Sequence, residues 1–169
     1  YLNSFNNQLL SASYQDHLIA ASSYSFIYNN QQKIQRSVWY NRFNTEVSGN
    51  LLRALSGVLN LSTDDLGSYE LFNIRYTQFV KTDNEVIHKI KFNSANSLST
   101  RLKLGAVIPL KNSPSIPFEK SYFVGGANGI RAWQTRSLGP GSYFEPSLVF
   151  DKIGDLTLEG NLEYRFDLP

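Results

Sequence analysis

The chain has 169 residues, with 16 Lys and Arg against 14 Asp and Glu, for a formal net charge of +2. So balanced a charge leaves no electrostatic footprint for nucleic acid or a strongly acidic partner. The lack of cysteine excludes a disulfide framework and a thiolate site.

Aromatic residues make up 14% of the chain, including 10 Tyr and 11 Phe, and Asn and Ser are abundant, a mixture suited to β-structure with wet polar faces and aromatic rims. No apolar run approaches the ~18–20 residues of a membrane helix. The longest, "LGAVIPL" at 104–110, is the size of a strand. The sequence opens at Tyr1 with neither an initiator Met nor a signal peptide, so it reads as cut from something longer.

In chain order, "QLLSASY" (8–14) is a first candidate strand. In 17–29, Leu18, Ala20, Tyr24, Phe26 and Tyr28 align on one face, with Ser23, Ser25 and Asn29 opposite. A short connection follows at 29–35. In 36–52, Trp39, Phe43, Val47 and Leu51 share one face, against Tyr40, Arg42, Asn44, Glu46 and Asn50. A long connection covers 53–68, and "LLRALSGVL" (51–59) has the pattern of a short amphipathic helix within it. From Phe72 to Phe92 the even positions keep one phase throughout, which predicts one very long strand in preference to a hairpin turning at "KTDNE" (81–85). After a short turn at 93–99, Leu102, Leu104, Ala106, Ile108 and Leu110 oppose Arg101 and Lys103.

A second long connection covers 111–154, and the clearest strand follows it, "LTLEGNLEYRFDL" (156–168). Its even positions are Leu156, Leu158, Gly160, Leu162, Tyr164, Phe166 and Leu168. Its odd positions are Thr157, Glu159, Asn161, Glu163, Arg165 and Asp167. Strict period-2 alternation gives one apolar and one polar face. A soluble sheet alternates too, and then Glu159, Glu163 and Arg165 form a solvated face. The length exceeds the usual ~5–6 residues of a strand and passes the ~9–11 of a tilted membrane strand. Short turns alternating with long loops are the habit of outer-membrane barrels. Five or six such strands fall short of the minimum of about eight for a closed barrel, and an open edge in lipid is too costly to occur. The expected fold is all-β; on the barrel reading the chain is a fragment of a transmembrane antiparallel barrel, and on the soluble reading a β-sandwich.

The long connection contains "FVGGANGIRAWQTRSLGPG" (123–141), with two arginines among its glycines. It lacks the G-x-G-x-x-G spacing and the strand–helix context of a nucleotide loop. His17 and His88 are the only histidines; His17 begins a strand and His88 sits on the apolar register, so each reads as a strand or interface residue rather than a catalytic base, and two histidines without clustered carboxylates make a poor metal site. No enzyme activity, cofactor or metal is expected.

"YFVGGANGIRAW", "RSLGPGSY" and "GDLTLEGNLEYRFDL" together resemble the C-terminal barrel of the BamA/TamA superfamily of outer-membrane insertases. The strong part covers 118–168. The family's loop signature of Val-Arg-Gly-aromatic falls on Ile130, Arg131, Ala132 and Trp133. Gly125 and Gly126 precede it, and Arg136, Leu138, Gly139 and Pro140 look like its continuation. "SGNLL" (48–52) and "QFVK" (78–81) look closest to the TamA-like lipoprotein branch, TamL. Ala132 departs from the family's Gly; were that residue at positive φ, the alanine would cost about 1 kcal/mol or more.

The resemblance implies about five or six of roughly sixteen strands, a number within the range of such barrels, with 111–154 folding back into the lumen. It implies that Arg131 meets an acidic lumen-facing side chain, Glu163 or Glu159. It implies a non-enzymatic factor in the outer membrane of a Gram-negative bacterium that folds and inserts other barrel proteins. The partners would be outer-membrane lipid, nascent client proteins, the protein's own periplasmic repeats and a periplasm-spanning subunit. A two-partner-secretion transporter and a porin or ligand-binding barrel are the alternatives.

Overall fold

The computed structural model describes residues 16–31, 36–64, 67–127, 129–139, 141 and 152–167. The expected strand at 8–14 lies outside them. The architecture is all-β: β1 (Ala21–Asn29), β2 (Ser37–Ser48), β3 (Glu70–Leu71), β4 (Ile74–Arg75), β5 (Phe79–Lys91), β6 (Ser97–Pro109) and β7 (Leu156–Arg165). Five of these form one sheet in the order β1-β2-β5-β6-β7, and β3 pairs with β4 alone. Two short helical turns, Asn50–Ala54 and Ser56–Leu59, occupy the expected helical stretch after β2. Among the described residues no helix is long and apolar enough to cross a membrane, which leaves crossing by strands untouched.

The single strand expected over 72–92 is corrected by the structure. Only β5 is continuous, and residues 81–85 lie inside it. The N-terminal part is a separate tight hairpin, with Glu70 paired to Arg75 and Leu71 to Ile74. Phe72 and Asn73 turn the chain with φ of 56° and 60°. Cross-strand partners share a face, so the two-residue turn reverses parity between Leu71 and Ile74; the even-phase run begins at the turn itself, at Phe72, and so does not register the hairpin. Between hairpin and β5, the Gln78 N–H leaves the ladder and donates to Ser113 Oγ at 2.7 Å.

The chain divides into two compact units. One comprises 24–45, 82–106 and 156–169. Its described residues include no buried position. β6 and β7 pair antiparallel, with Leu98 opposite Tyr164, Thr100 opposite Leu162, Leu104 opposite Leu158 and Ala106 opposite Leu156. The alternate register sets Ser99 opposite Glu163, Arg101 opposite Asn161 and Lys103 opposite Glu159. One face is thus apolar across strands and the other polar. The apolar face is the open one: Leu158 and Leu162 are each 74% exposed. Near the ends of the strands that meet at the short turns, Tyr28, Trp39, Phe92, Tyr164 and Phe166 are exposed as well, an aromatic set of the kind that sits at a membrane–water boundary.

The other unit comprises 1–23, 46–81 and 107–155. Phe79, Val107, Ile116 and Tyr122 form a buried cluster with Ile19 packed against it. Tyr76 is buried too. Burial pushes its phenol above the ordinary value, while the Arg53 guanidinium acts in the opposite sense. The chain is irregular here, and side chains replace the missing ladder. Asn112 Oδ1 accepts from the Tyr69 N–H at 2.7 Å, and its Nδ2 donates to the Tyr69 and Tyr76 carbonyls at 3.0 and 2.8 Å. Gln78 Oε1 accepts from the Asn112 N–H at 3.2 Å. Buried backbone must find partners somewhere, and a buried asparagine supplies a donor and an acceptor from one side chain.

Candidate functional site

The long loop is built in three stages. Its first segment, after β6, is anchored. Lys120 Nζ lies 2.6 Å from Glu46 of β2. Lys81 of β5 donates to the Lys120 carbonyl at 2.8 Å and sits 4.3 Å from the centre of the Tyr122 ring. Both ion-pair partners are partly shielded, at 26% and 15% side-chain exposure for Lys120 and Glu46, which makes this pair worth more than a fully exposed one. Across the loop's mouth, Tyr122 and Gly154 exchange both backbone hydrogen bonds at 2.8 Å. None of these anchors belongs to the signature motif. An acidic residue in β2 and a lysine in a short turn carry no sequence signal that links them.

The second stage is a stem. Val124 bridges Leu138 antiparallel. The Gly126 N–H donates to the Trp133 carbonyl, and the Arg136 N–H to the Val124 carbonyl, both at 2.9 Å. Gly125 and Gly126 have φ of 97° and 91°. A Cβ on Gly125 would lie 2.2 Å from the Gln134 carbonyl oxygen, so the returning strand passes where only a glycine leaves room. Gly139, at φ 76°, ends the stem. Pro140 lies outside the described residues.

The third stage is the tip. Ile130, Arg131, Ala132 and Trp133 are all exposed. The Trp133 N–H donates to the Ile130 carbonyl at 3.2 Å, closing a turn about Arg131 and Ala132. Ala132 is not among the described non-glycine residues with left-handed φ, which are Asn60, Phe72, Asn73 and Arg136. The alanine therefore carries no backbone penalty, and Arg136, with φ 62°, is the described non-glycine residue of the loop in the left-handed region. Unlike Arg131, Arg136 is half-buried, its guanidinium 4.2 Å from the Phe118 ring centre and 4.8 Å from that of Phe123.

The acidic candidates sit in the other unit, on the polar face of β7. Glu159 accepts from Arg101 Nη1 at 2.8 Å, and Glu163 accepts from Arg165. Glu159 belongs to a row that crosses four strands. Arg42 of β2 lies 2.9 Å from Glu85 of β5, and Glu85 lies 2.6 Å from Arg101 of β6, which reaches Glu159 of β7. Charges alternate along the row, so each carboxylate meets arginine forks, the strongest ion-pair geometry available. Beside it a cavity of about 390 Å³ is lined by Ser25, Asn44, Asp83 and Lys103, among others. Glu85 is the centre of the row, and no sequence motif singles it out. Its odd position in a continuous strand, on the register of Asp83 and Lys81, is the signal that could have found it.

Glu85 has a side-chain exposure of 12% and Glu159 of 21%, whereas Leu158 of the same strand is 74% exposed. At the centre of this row charge is sheltered, while the leucines of the opposite face are presented outward. That inversion suits a sheet whose outer face meets lipid and whose inner face meets water. Among the described residues no group of His, Cys, Asp and Glu is arranged to hold a metal ion.

A family model described as the Omp85 superfamily domain matches residues 3–169. No curated protein matches the chain.

Proposed function

Because the chain belongs to the Omp85 superfamily, a superfamily of outer-membrane insertion and transport proteins, we propose that it forms part of an outer-membrane barrel that inserts and folds other barrel proteins. The finer placement, in the translocation-and-assembly branch that includes the TamL lipoproteins, rests on "SGNLL" and "QFVK". The inverted sheet supplies the barrel wall. The edges of β1 and β7 take further strands, since unpaired backbone cannot face lipid.

The observation that carries the reading is the anchored loop. Lys120–Glu46, Lys81–Tyr122 and the Tyr122–Gly154 bridge hold the base, while the stem presents Arg131 on an exposed turn. A porin has no need of such a presented cation. In this reading Arg131 is the loop's contact with an acidic side chain of the inner wall, Glu163 or Glu159, and the pair braces the barrel while a client strand is added. No bond-making chemistry is required. Client insertion draws on strand pairing at a sheet edge.

The test is Arg131→Ala, made in the encoded protein at its own locus. The expected result is a fall in the outer-membrane level of client barrels, with the variant itself still folded and heat-modifiable. Normal client levels with normal variant levels sink the reading. Normal client levels combined with loss of one secreted protein favour the secretion-transporter alternative.

A further inference from the structure

We infer that Arg136 is the positioning residue of the long loop, holding the stem to its anchored base by a cation clamped between Phe118 and Phe123. Three observations meet at this residue. Its backbone is in the left-handed region, φ 62°, where a β-carbon is disfavoured. Asn or Gly suits such a position better, so the turn alone does not explain an arginine. Its guanidinium lies 4.2 Å from one ring centre and 4.8 Å from the other. A flat, weakly hydrated cation is the side chain that stacks on aromatic faces, and lysine's compact ammonium is a poorer substitute. Its Nε is buried and has no hydrogen-bond acceptor among the described residues, so the two rings are what offset its loss of water.

The clamp completes a continuous path within one unit. Glu46 of β2 holds Lys120 at 2.6 Å. Lys120 closes the short 3₁₀ turn that Phe118 opens. Phe118 and Phe123 hold Arg136, whose N–H ties it to Val124 at 2.9 Å. The stem then carries Arg131 and Trp133. Loss of the clamp frees the stem to swing about Gly125 and Gly126 while the base stays anchored.

The clamp stands on its own geometry, and only its bearing on client assembly rests on the proposed insertion role. The test uses the full protein reconstituted in vesicles of phosphatidylethanolamine and phosphatidylglycerol. The chain has no cysteine of its own, and with any cysteine elsewhere in the full protein replaced by serine, Ile130→Cys places a single nitroxide at the tip. Arg136→Asn keeps a residue that tolerates the left-handed turn and removes the cation. Phe123→Leu leaves residue 136 intact and removes a ring. Both are expected to narrow the spin-label spectrum, with tip tumbling several-fold faster and heat-modifiability unchanged. Arg136→Lys falls between these and the parent. An unchanged spectrum in Arg136→Asn and Phe123→Leu overturns the clamp. If the tip loosens and client levels in cells stay normal, the clamp stands and the insertion reading falls.

Discussion

Among the described residues, only one of the two units of this chain buries apolar side chains. In the unit built from 1–23, 46–81 and 107–155, Phe79, Val107 and Ile116 are buried at 0%, 2% and 4% exposure. In the unit built from 24–45, 82–106 and 156–169, Leu156, Leu158 and Leu162 are exposed while Glu85 and Arg101 are sheltered. The same residue types obey the same transfer free energy in both. What differs is the solvent each surface is built for. The first unit carries the signature of a body folded in water, and the second that of a wall between lipid and water.

The largest expected effect tests the first unit. Phe79→Ala is expected to cost about 3–5 kcal/mol, as for large-to-small changes in a packed core, read from the urea midpoint of the protein in vesicles. A loss under about 1 kcal/mol would mean that the cluster is not a core. Leu158→Arg tests the second. On a lipid face near the mid-plane it is expected to cost about 2–4 kcal/mol. On a water-facing sheet it would cost almost nothing, and that result would break the contrast between the units. Third, Glu85→Ala leaves Arg42 and Arg101 without their shared acceptor. The row is not fully dry, so a loss of about 1–2 kcal/mol is expected, below the value for a fully buried pair. Arg42→Ala should cost less than about 1 kcal/mol, because Arg42 is 51% exposed. Equal losses for the two variants would show that the row is not centred on Glu85.

The smallest expected effect concerns the tip. Restoring the family's glycine, Ala132→Gly, is expected to lower stability by no more than about 1 kcal/mol, since glycine adds freedom to the unfolded chain and relieves no strain. A gain in thermal stability would show that residue 132 is left-handed after all.

Much of the wall is legible in the amino-acid pattern. Alternation with period 2 in 156–168 and 100–110 places β6 and β7 and assigns their faces, because the pleat makes parity and face equivalent. The helical stretch at 51–59 and the turn glycines of the loop are legible for similar local reasons. The hairpin at 70–75 is hidden because its strands are two residues each, too short to show an alternation, and because Phe72 is not a residue that advertises left-handed backbone. The loop's base is hidden for a different reason. Lys120 and Glu46 are 74 positions apart, and no local pattern joins them.

By itself, the sequence determined the all-β class, the wall's two faces, the absence of cysteine chemistry and, through the loop motif, the superfamily. Those properties are local: they depend on composition, on parity and on residues a few positions apart. Only the tertiary structure decided that Glu85 gathers the arginines of two other strands, that Asn112 replaces a missing ladder, and that Arg136 rather than Ala132 holds the left-handed turn. Each of these depends on which backbone passes within a few ångströms of which side chain, and close approach between distant segments is a property of packing that periodicity does not encode.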